Sequence, residues 1–308
     1  MASQRDVKNR ISSVKNIQKI TRAMEMVAAA RLRRAEQRIE ALRPYAEALR
    51  RMTRTAARAA GAAEIARLPL LREPAAADVE GGAVALLLIT GDRGLAGGFN
   101  SQVIRAGVRR HGELAAEGHD VAWYVTGRRG VSSVTFRGFE LSGGYTGFAD
   151  RPVLADARTV GGDVIEAFTA GGLYRVELIF NAYVSPLTQV VTRETLLPIS
   201  QATIAGDEEA EEGEAGAASD GPGALVEYEP DPEQVLRQLL PDYIETSIYR
   251  AMVESASGFF GAQMTAMRSA SDNAGEIITD LTLQMNRARQ AEITQEIMEV
   301  VAGAEGLA

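Results

Sequence analysis

The chain has 308 residues, of which 46% are hydrophobic and 24% are charged, a composition typical of a folded globular protein. Cysteine is absent, which excludes disulfides, thiolate nucleophiles and zinc–sulfur sites. The net charge of −8 is unevenly distributed, because residues 1–60 hold fifteen basic and five acidic side chains. A basic arm on an acidic body suits either nucleic acid or an acidic protein partner. The longest apolar run, residues 83–89, is too short to span a bilayer, so we expect no membrane-spanning segment.

The N-terminal 60 residues predict one long helix. Apolar or small side chains recur every three or four residues, with a mean spacing of about 3.5, which is typical of a helix that packs one seam against another helix. The seam consists of Val7, Ile11, Val14, Ile17, Ile20, Met24, Ala28, Leu32, Ala35, Ile39, Leu42, Ala46 and Leu49.

The C-terminal part of the chain shows the same pattern after Pro241. Because burial of the seam stabilises a helix of this length, each long helix needs a partner. The simplest partner is the other helix, in a long antiparallel coiled coil, and the alternative is a larger helical bundle. The second seam consists of Ile244, Ile248, Met252, Ala256, Phe260, Met264, Met267, Ala270, Ala274, Ile278, Leu281, Met285 and Ala288.

Between the two helical arms the pattern changes to short β-rich runs separated by helical stretches. Strands are predicted at residues 83–90, 120–126, 174–184 and 188–196, and helices at 99–116 and 152–170. This order is typical of a small Rossmann-like α/β domain with a final hairpin. The predicted segments are an N-terminal coiled-coil helix (1–60), a linker (61–82), the α/β domain (83–205), an acidic flexible loop (206–224) and a C-terminal coiled-coil helix (225–308).

A glycine-rich stretch, residues 91–98, lies between a predicted strand and a predicted helix, where a phosphate-binding loop would lie. It has neither the terminal Gly-Lys-Ser/Thr of a Walker motif nor the G-x-G-x-x-G spacing, and the chain has no lysine after Lys19. We therefore interpret it as a structural turn or a protein-contact loop.

No catalytic, cofactor-binding or metal-binding set of side chains is recognisable in the sequence. The cations of the basic arm are not interleaved with aromatic side chains that could stack on bases, which argues against nucleic acid as a partner. Two alternatives stay open: a basic coiled coil that binds nucleic acid, and a nucleotide-using α/β enzyme with helical dimerisation arms.

Four segments resemble the F-type ATP synthase gamma subunit, in the same order and in a bacterial form. They are IQKITRAMEMVAA (17–29), DRGLAGG (92–98), YEPDP (228–232) and ARQAEITQE (288–296), so that the resemblance covers nearly the whole chain. It implies a non-catalytic central-stalk rotor whose paired terminal helices turn within three alpha and three beta subunits and couple proton-driven rotation to ATP synthesis or hydrolysis.

The resemblance also implies contact residues and a location. Arg289 and Gln290 match the pair that contacts a catch loop of beta. Met24, Arg31, Arg34 and Ala96 match positions near the beta lever segment, where the arginines would meet acidic side chains. Tyr228 and Glu229 match positions near the c-ring and the epsilon subunit. The chain would be peripheral on the cytoplasmic face of the cell membrane and would contact the membrane only through the c-ring. No cofactor and no nucleic acid are implied.

Overall fold

The structure, a computed structural model, describes residues 4–61, 65, 67–200 and 231–305. The predicted acidic loop at 206–224 lies outside these residues. The chain forms two compact units, one made of Met1–Arg31 with Gln263–Ala308 and the other of Leu32–Ala262. The elements in chain order are α1 (Gln4–Ala60), α2 (Ala76–Gly81), β1 (Ala83–Ile89), α3 (Phe99–Ala116), β2 (Val121–Thr126), α4 (Arg128–Phe136), β3 (Leu141–Tyr145), α5 (Leu154–Thr169), β4 (Leu173–Ser185), β5 (Thr188–Leu197) and α6 (Pro232–Glu305).

Both long helices predicted from the seams are present. Helix α6 begins at Pro232, upstream of the predicted stripe and with Pro241 inside it. Asp231 caps this start, because its Oδ1 accepts the backbone N–H of Gln234 at 2.9 Å. An acidic cap followed by proline in the first turn is a favourable helix start.

In the first unit the two helices pack antiparallel. Val7 and Ile11 are buried with Leu281. Further along α1, the Gln18 amide donates to the backbone oxygen of Ser271 at 3.2 Å. Beyond that, Glu25 accepts from Arg268 at 2.8 Å. Because the partners on α6 descend in number as α1 ascends, the helices run in opposite directions, as predicted.

The predicted seam of α1 is wrong at Ile17 and Ile20, whose side chains are 53% and 58% exposed. Three successive steps of three residues from Ile11 each fall about 60° short of a full turn, so the stripe rotates to the opposite face by Ile20. The buried face instead continues through Thr21, which is 9% exposed. On α6 every predicted seam residue is buried or half-buried.

The second unit contains a five-stranded sheet in the order β3-β2-β1-β4-β5. Strands β1 to β4 are parallel to one another and β5 is antiparallel to β4. The four predicted strands and two predicted helices are confirmed to within about two residues at each end. Strand β3 and helices α2 and α4 were not predicted.

Helices cover both faces of the sheet. One face of β1, with Val84, Leu86 and Leu88, packs against α3 and α4. The other face packs against α5, the end of α1 and the beginning of α6. From Ala251 to Gly261 nearly every side chain of α6 is buried, so this helix is a core element of the α/β unit as well as an arm. Such a sheet is covered on both sides, as its continuous apolar strands require.

Candidate partner-contact sites

The C-terminal part of α6 carries the predicted pair Arg289 and Gln290, and both side chains are exposed. After Ala288, every described side chain of the helix is exposed, including five large apolar ones. A single helix with apolar residues in water is not stabilised by its own hydrogen bonds alone, so it needs a surface to pack against. The exposed apolar side chains are Ile293, Ile297, Met298, Val300 and Val301.

The first unit presents a second apolar stripe on the outer face of α1. Ile20 and Val27 are 58% and 52% exposed, and the predicted contact residue Met24 lies between them, half-buried. Arg31, also half-buried, follows one turn later on the same face. The predicted residues Met24 and Arg31 are therefore brought together with apolar neighbours on one surface. Arg34 belongs to the other unit and is exposed.

The glycine-rich loop after β1 is held by the carboxylate of Asp92. It accepts the backbone N–H of Arg128 at 2.9 Å, of Gly147 at 3.0 Å and of Ala149 at 3.1 Å. Asn100 holds the other side, since it accepts from the N–H of Gly91 at 2.8 Å and donates to the carbonyl of Arg93 at 2.9 Å. These bonds fix a loop between three strand ends and leave its tip outward.

The tip of this loop presents Leu95, and the predicted contact residue Ala96 is only 3% exposed. Leu95 has a φ of 64°, a left-handed conformation that is unfavourable for a residue with a branched side chain, and its side chain is 64% exposed. A contact of this loop with another protein would therefore involve the Leu95 side chain directly and Ala96 through its packing.

The same geometry bears on the nucleotide-enzyme alternative. In α/β domains, phosphates bind to backbone N–H groups at helix starts beyond the carboxyl ends of the strands. Here the N–H of Arg128, the first residue of α4, is bonded to Asp92, so the chain's own carboxylate takes the place of an anion. In the part of the chain that the structure describes, no three His, Asp or Glu side chains are grouped as metal ligands.

Polar contacts between the long helices and the sheet were not predicted from the sequence. The Tyr183 hydroxyl on β4 donates to the Glu36 carboxylate on α1. Burial, and then this bond, raise the pKa of Tyr183 above its usual range, so the hydroxyl keeps its proton. Arg250 on α6 pairs with Glu194 on β5 and with Glu254 at 3.0 Å. Nothing in the sequence links Tyr183 with Glu36 or Arg250 with Glu194, because the partners are far apart along the chain and each looks like an ordinary surface residue.

Two further predictions concern the contact residues Tyr228 and Glu229 and the expected absence of a membrane-spanning segment. Tyr228 and Glu229 lie outside the described residues. Within those that are described, no helix has an apolar stretch sufficient to span a bilayer.

Comparison with known proteins gives matches along the whole chain. A family model described as ATP synthase matches residues 3–307. The chain is 43% identical to an ATP synthase gamma chain of Rubrobacter xylanophilus, over 100% of this chain and 99% of that protein. It is 43% identical to an ATP synthase gamma chain of Streptomyces avermitilis, over 100% of this chain and 97% of that protein.

Two solved structures have the same fold. A chain of the Euglena gracilis mitochondrial ATP synthase, in rotational state 3, matches with a TM-score of 0.65 and 15% identity, over 99% of this chain and 94% of that chain. A chain of the central stalk and c-ring structure of the Tetrahymena thermophila mitochondrial ATP synthase matches with a TM-score of 0.58 and 22% identity, over 82% of this chain and 99% of that chain.

Proposed function

The chain belongs to the ATP synthase gamma chain family, and on that premise we propose that it is the central-stalk rotor subunit that couples rotation of a c-ring to ATP synthesis or hydrolysis on other subunits. The observation that carries this proposal is the exposed apolar stripe of α1 in the first unit, with Ile20 and Val27, which lies on a helix that is already paired with α6. An apolar outer face allows close packing against surrounding subunits without strong fixed bonds that would oppose rotation.

The partners are three alpha and three beta subunits around the helical arms, with the epsilon subunit and the c-ring at the globular end. Arg289 and Gln290 contact a beta catch loop, while Met24, Arg31, Arg34 and the loop that contains Ala96 contact the beta lever segment. Exposure of Arg289, Gln290 and Arg34 supports this assignment. Tyr228 and Glu229 contact the c-ring or epsilon.

The subunit itself is non-catalytic and holds no cofactor, and the nucleotide and magnesium bind to the surrounding chains. Its place is peripheral, on the cytoplasmic face of a bacterial cell membrane, in contact with the membrane only through the c-ring. Bacterial relatives such as the Rubrobacter and Streptomyces gamma chains support this location. The nucleic-acid and nucleotide-enzyme alternatives have no counterpart among the relatives named above.

Recovery of the intact assembly tests the proposal. An affinity-tagged copy of the full chain, replacing the untagged one in cells, should co-purify from gently solubilised membranes with alpha, beta, epsilon and c subunits. The purified assembly should hydrolyse ATP, and the isolated chain should not. Recovery without alpha, beta or c subunits would contradict the rotor function. Micromolar ATP affinity of the isolated chain by calorimetry would favour the enzyme alternative.

A further inference from the structure

The turn between β4 and β5 lies in a notch on α6 formed by Gly258 and Gly261. A Cβ atom on Gly261 would lie 2.7 Å from the carbonyl oxygen of Pro186, which is closer than real Cβ contacts. A Cβ atom on Gly258 would lie 3.1 Å from Cγ of Gln189. The two glycines are three residues apart and so share one helix face. At Gly261 the turn therefore contacts the helix at a distance that only glycine permits, and at Gly258 the space for a side chain is tight.

This turn is itself held by hydrogen bonds. The Gln189 side-chain amide donates to the carbonyl oxygens of Ser185 and Pro186, both at 3.1 Å. The hydroxyl oxygen of Ser185 accepts the N–H of Thr188 at 3.1 Å. These side-chain bonds close the turn that lies in the glycine notch.

The same hairpin contacts α1 and a second place on α6. Two residues before the turn, Tyr183 bonds to Glu36 on α1. Further along β5, Glu194 pairs with Arg250 on α6, three helical turns before Gly261. One hairpin thus holds both long helices, through a steric notch and two polar contacts.

We propose that the β4–β5 hairpin, residues 183–194, is a torque-bearing clamp that transmits twist between the two helices and the sheet. The proposal rests on the rotor function proposed above. A surface ion pair by itself resists little force, because water solvates the two separated charges almost as well as they solvate each other. A backbone seated in a notch cannot slide sideways without a clash, so the hairpin resists twisting of α6 while Tyr183 restrains α1.

The test uses the complete complex in sealed vesicles, with measurements of ATP hydrolysis and ATP-driven proton uptake. Gly261→Ala displaces the Pro186 carbonyl, whereas its control Gly162→Ala, also within a helix, adds a Cβ that meets nothing within 4 Å. Tyr183→Phe removes the hydroxyl bonded to Glu36. Its control, Tyr145→Phe, removes a hydroxyl bonded to Asp163 at 2.5 Å, a contact within the sheet and α5.

Loss of one hydrogen bond shifts a closed–open equilibrium by about two- to tenfold. We expect amide exchange of residues 183–190 in Tyr183→Phe to rise by that factor, with hydrolysis retained. Protons taken up per ATP hydrolysed should fall, and fall further as the gradient builds. In complexes that assemble with Gly261→Ala, the number of protons taken up per ATP hydrolysed should fall in the same way. Both controls should keep the normal ratio.

A merely structural hairpin would instead lower assembly or melting temperature and reduce hydrolysis and uptake together, with their ratio unchanged. An unchanged ratio in Tyr183→Phe, with faster amide exchange at the hairpin, overturns the clamp and leaves the rotor function intact. Unchanged exchange overturns it as well, because the hydroxyl would then restrain nothing. If the unaltered complex neither assembles nor pumps, the rotor function itself fails.

Discussion

A buried ion pair between α3 and the sheet shows how one residue can contribute to the stability of the fold. Arg110 and Glu177 make two bonds of 2.9 Å, with side chains 13% and 5% exposed. Burial tends to raise the pKa of Glu177, but the hydrogen bond and charge of Arg110 outweigh it and leave that pKa below its usual range. The carboxylate is therefore charged at neutral pH and balances a guanidinium that has little access to water.

Glu177→Gln should lower the free energy of unfolding by about 2–3 kcal/mol. This is less than the full loss for a broken buried pair, because Glu113 still bonds to Arg110 at 3.1 Å. The measurement is urea unfolding at pH 7. The exposed Glu140 supplies the control, since Glu140→Gln should change stability by less than about 0.5 kcal/mol. Equal midpoints for the two variants would show that the pair adds nothing to stability.

His111 is the residue whose titration we expect to affect stability. Its ring stacks on Trp123, with 5.5 Å between the ring centroids, and its centroid lies 4.4 Å from that of the Phe139 ring. Within the described residues its Nδ1 has no hydrogen-bond partner, and burial lowers the pKa of the ring below 6.5. The unfolded chain therefore binds a proton that the folded chain refuses, so the stabilising effect is present above pH 6.5 and is lost as the pH falls below it.

His111→Phe keeps an aromatic ring and removes this titration. We expect its stability to fall less steeply than that of the unaltered protein between pH 7 and pH 5, as measured by urea unfolding at several pH values. His119→Phe is the control and should leave the contribution of His111 in place. Parallel profiles for the unaltered protein and His111→Phe would contradict the burial argument.

The C-terminal part of α6 is an element whose stability depends on what surrounds it. The side chains of Arg289 and Gln290 are exposed, and charge-assisted bonds to a partner contribute about 1.5–3 kcal/mol each. If the pair contacts a beta loop as proposed, these bonds break at every rotary step. Arg289→Ala with Gln290→Ala should therefore leave the helix formed and change ATP turnover and proton coupling in the assembled complex.

Arg287→Ala gives a matched control, because it removes the same charge two residues away and on another face of the helix. Complexes with equal subunit content and equal melting temperature should be compared for hydrolysis and pumping. Normal kinetics in the double variant would remove these residues from the rotary energy profile. If Arg287→Ala changed hydrolysis and pumping equally, the effect would come from the loss of one positive charge and not from the position of Arg289.

The sequence predicted elements with strong periodicity and missed those whose local preference opposes the fold. Strand β3 reads LSGGY, with two glycines and no β-branched residue, and only pairing with β2 makes it a strand. Helix α4 reads RRGVSSVTF, a composition that favours a strand, and its Gly130 packs closely against Thr90. At both places tertiary contacts override local propensity, and those contacts are not visible in a single sequence.

At the scale of the whole molecule, the predicted contact residues came from linear motifs, while the contacts that join the elements came from the structure alone. Arg289 and Gln290 lie in one recognisable segment. Tyr183 and Glu36, 147 residues apart, are adjacent only after folding. In the glycine-rich loop the exposed side chain is Leu95 and not the predicted Ala96. The positive φ angle of Leu95 accompanies this arrangement, and no sequence motif reports such an angle.

The two units differ in how they are stabilised. The second has its own hydrophobic cores on both faces of the sheet, whereas the first consists of two helix segments that bury each other. Ending the chain at Ala262 should therefore keep cooperative unfolding of the α/β unit and also melt residues 4–31, which lose their partner. Circular dichroism should show a loss of helix larger than the deleted residues account for. A loss that matches the deletion alone would contradict mutual dependence.

The pairing of Gln18 with the Ser271 backbone, 253 residues later, sets an order of events during synthesis. At about 5–20 residues per second, a ribosome takes roughly 10–50 s to produce the partner of a helix that it has already released. During that time the buried face of the first arm, with Val7 and Ile11, has no partner helix to cover it. The nascent chain therefore exposes at its N-terminal end an apolar helix face that the folded protein buries against α6.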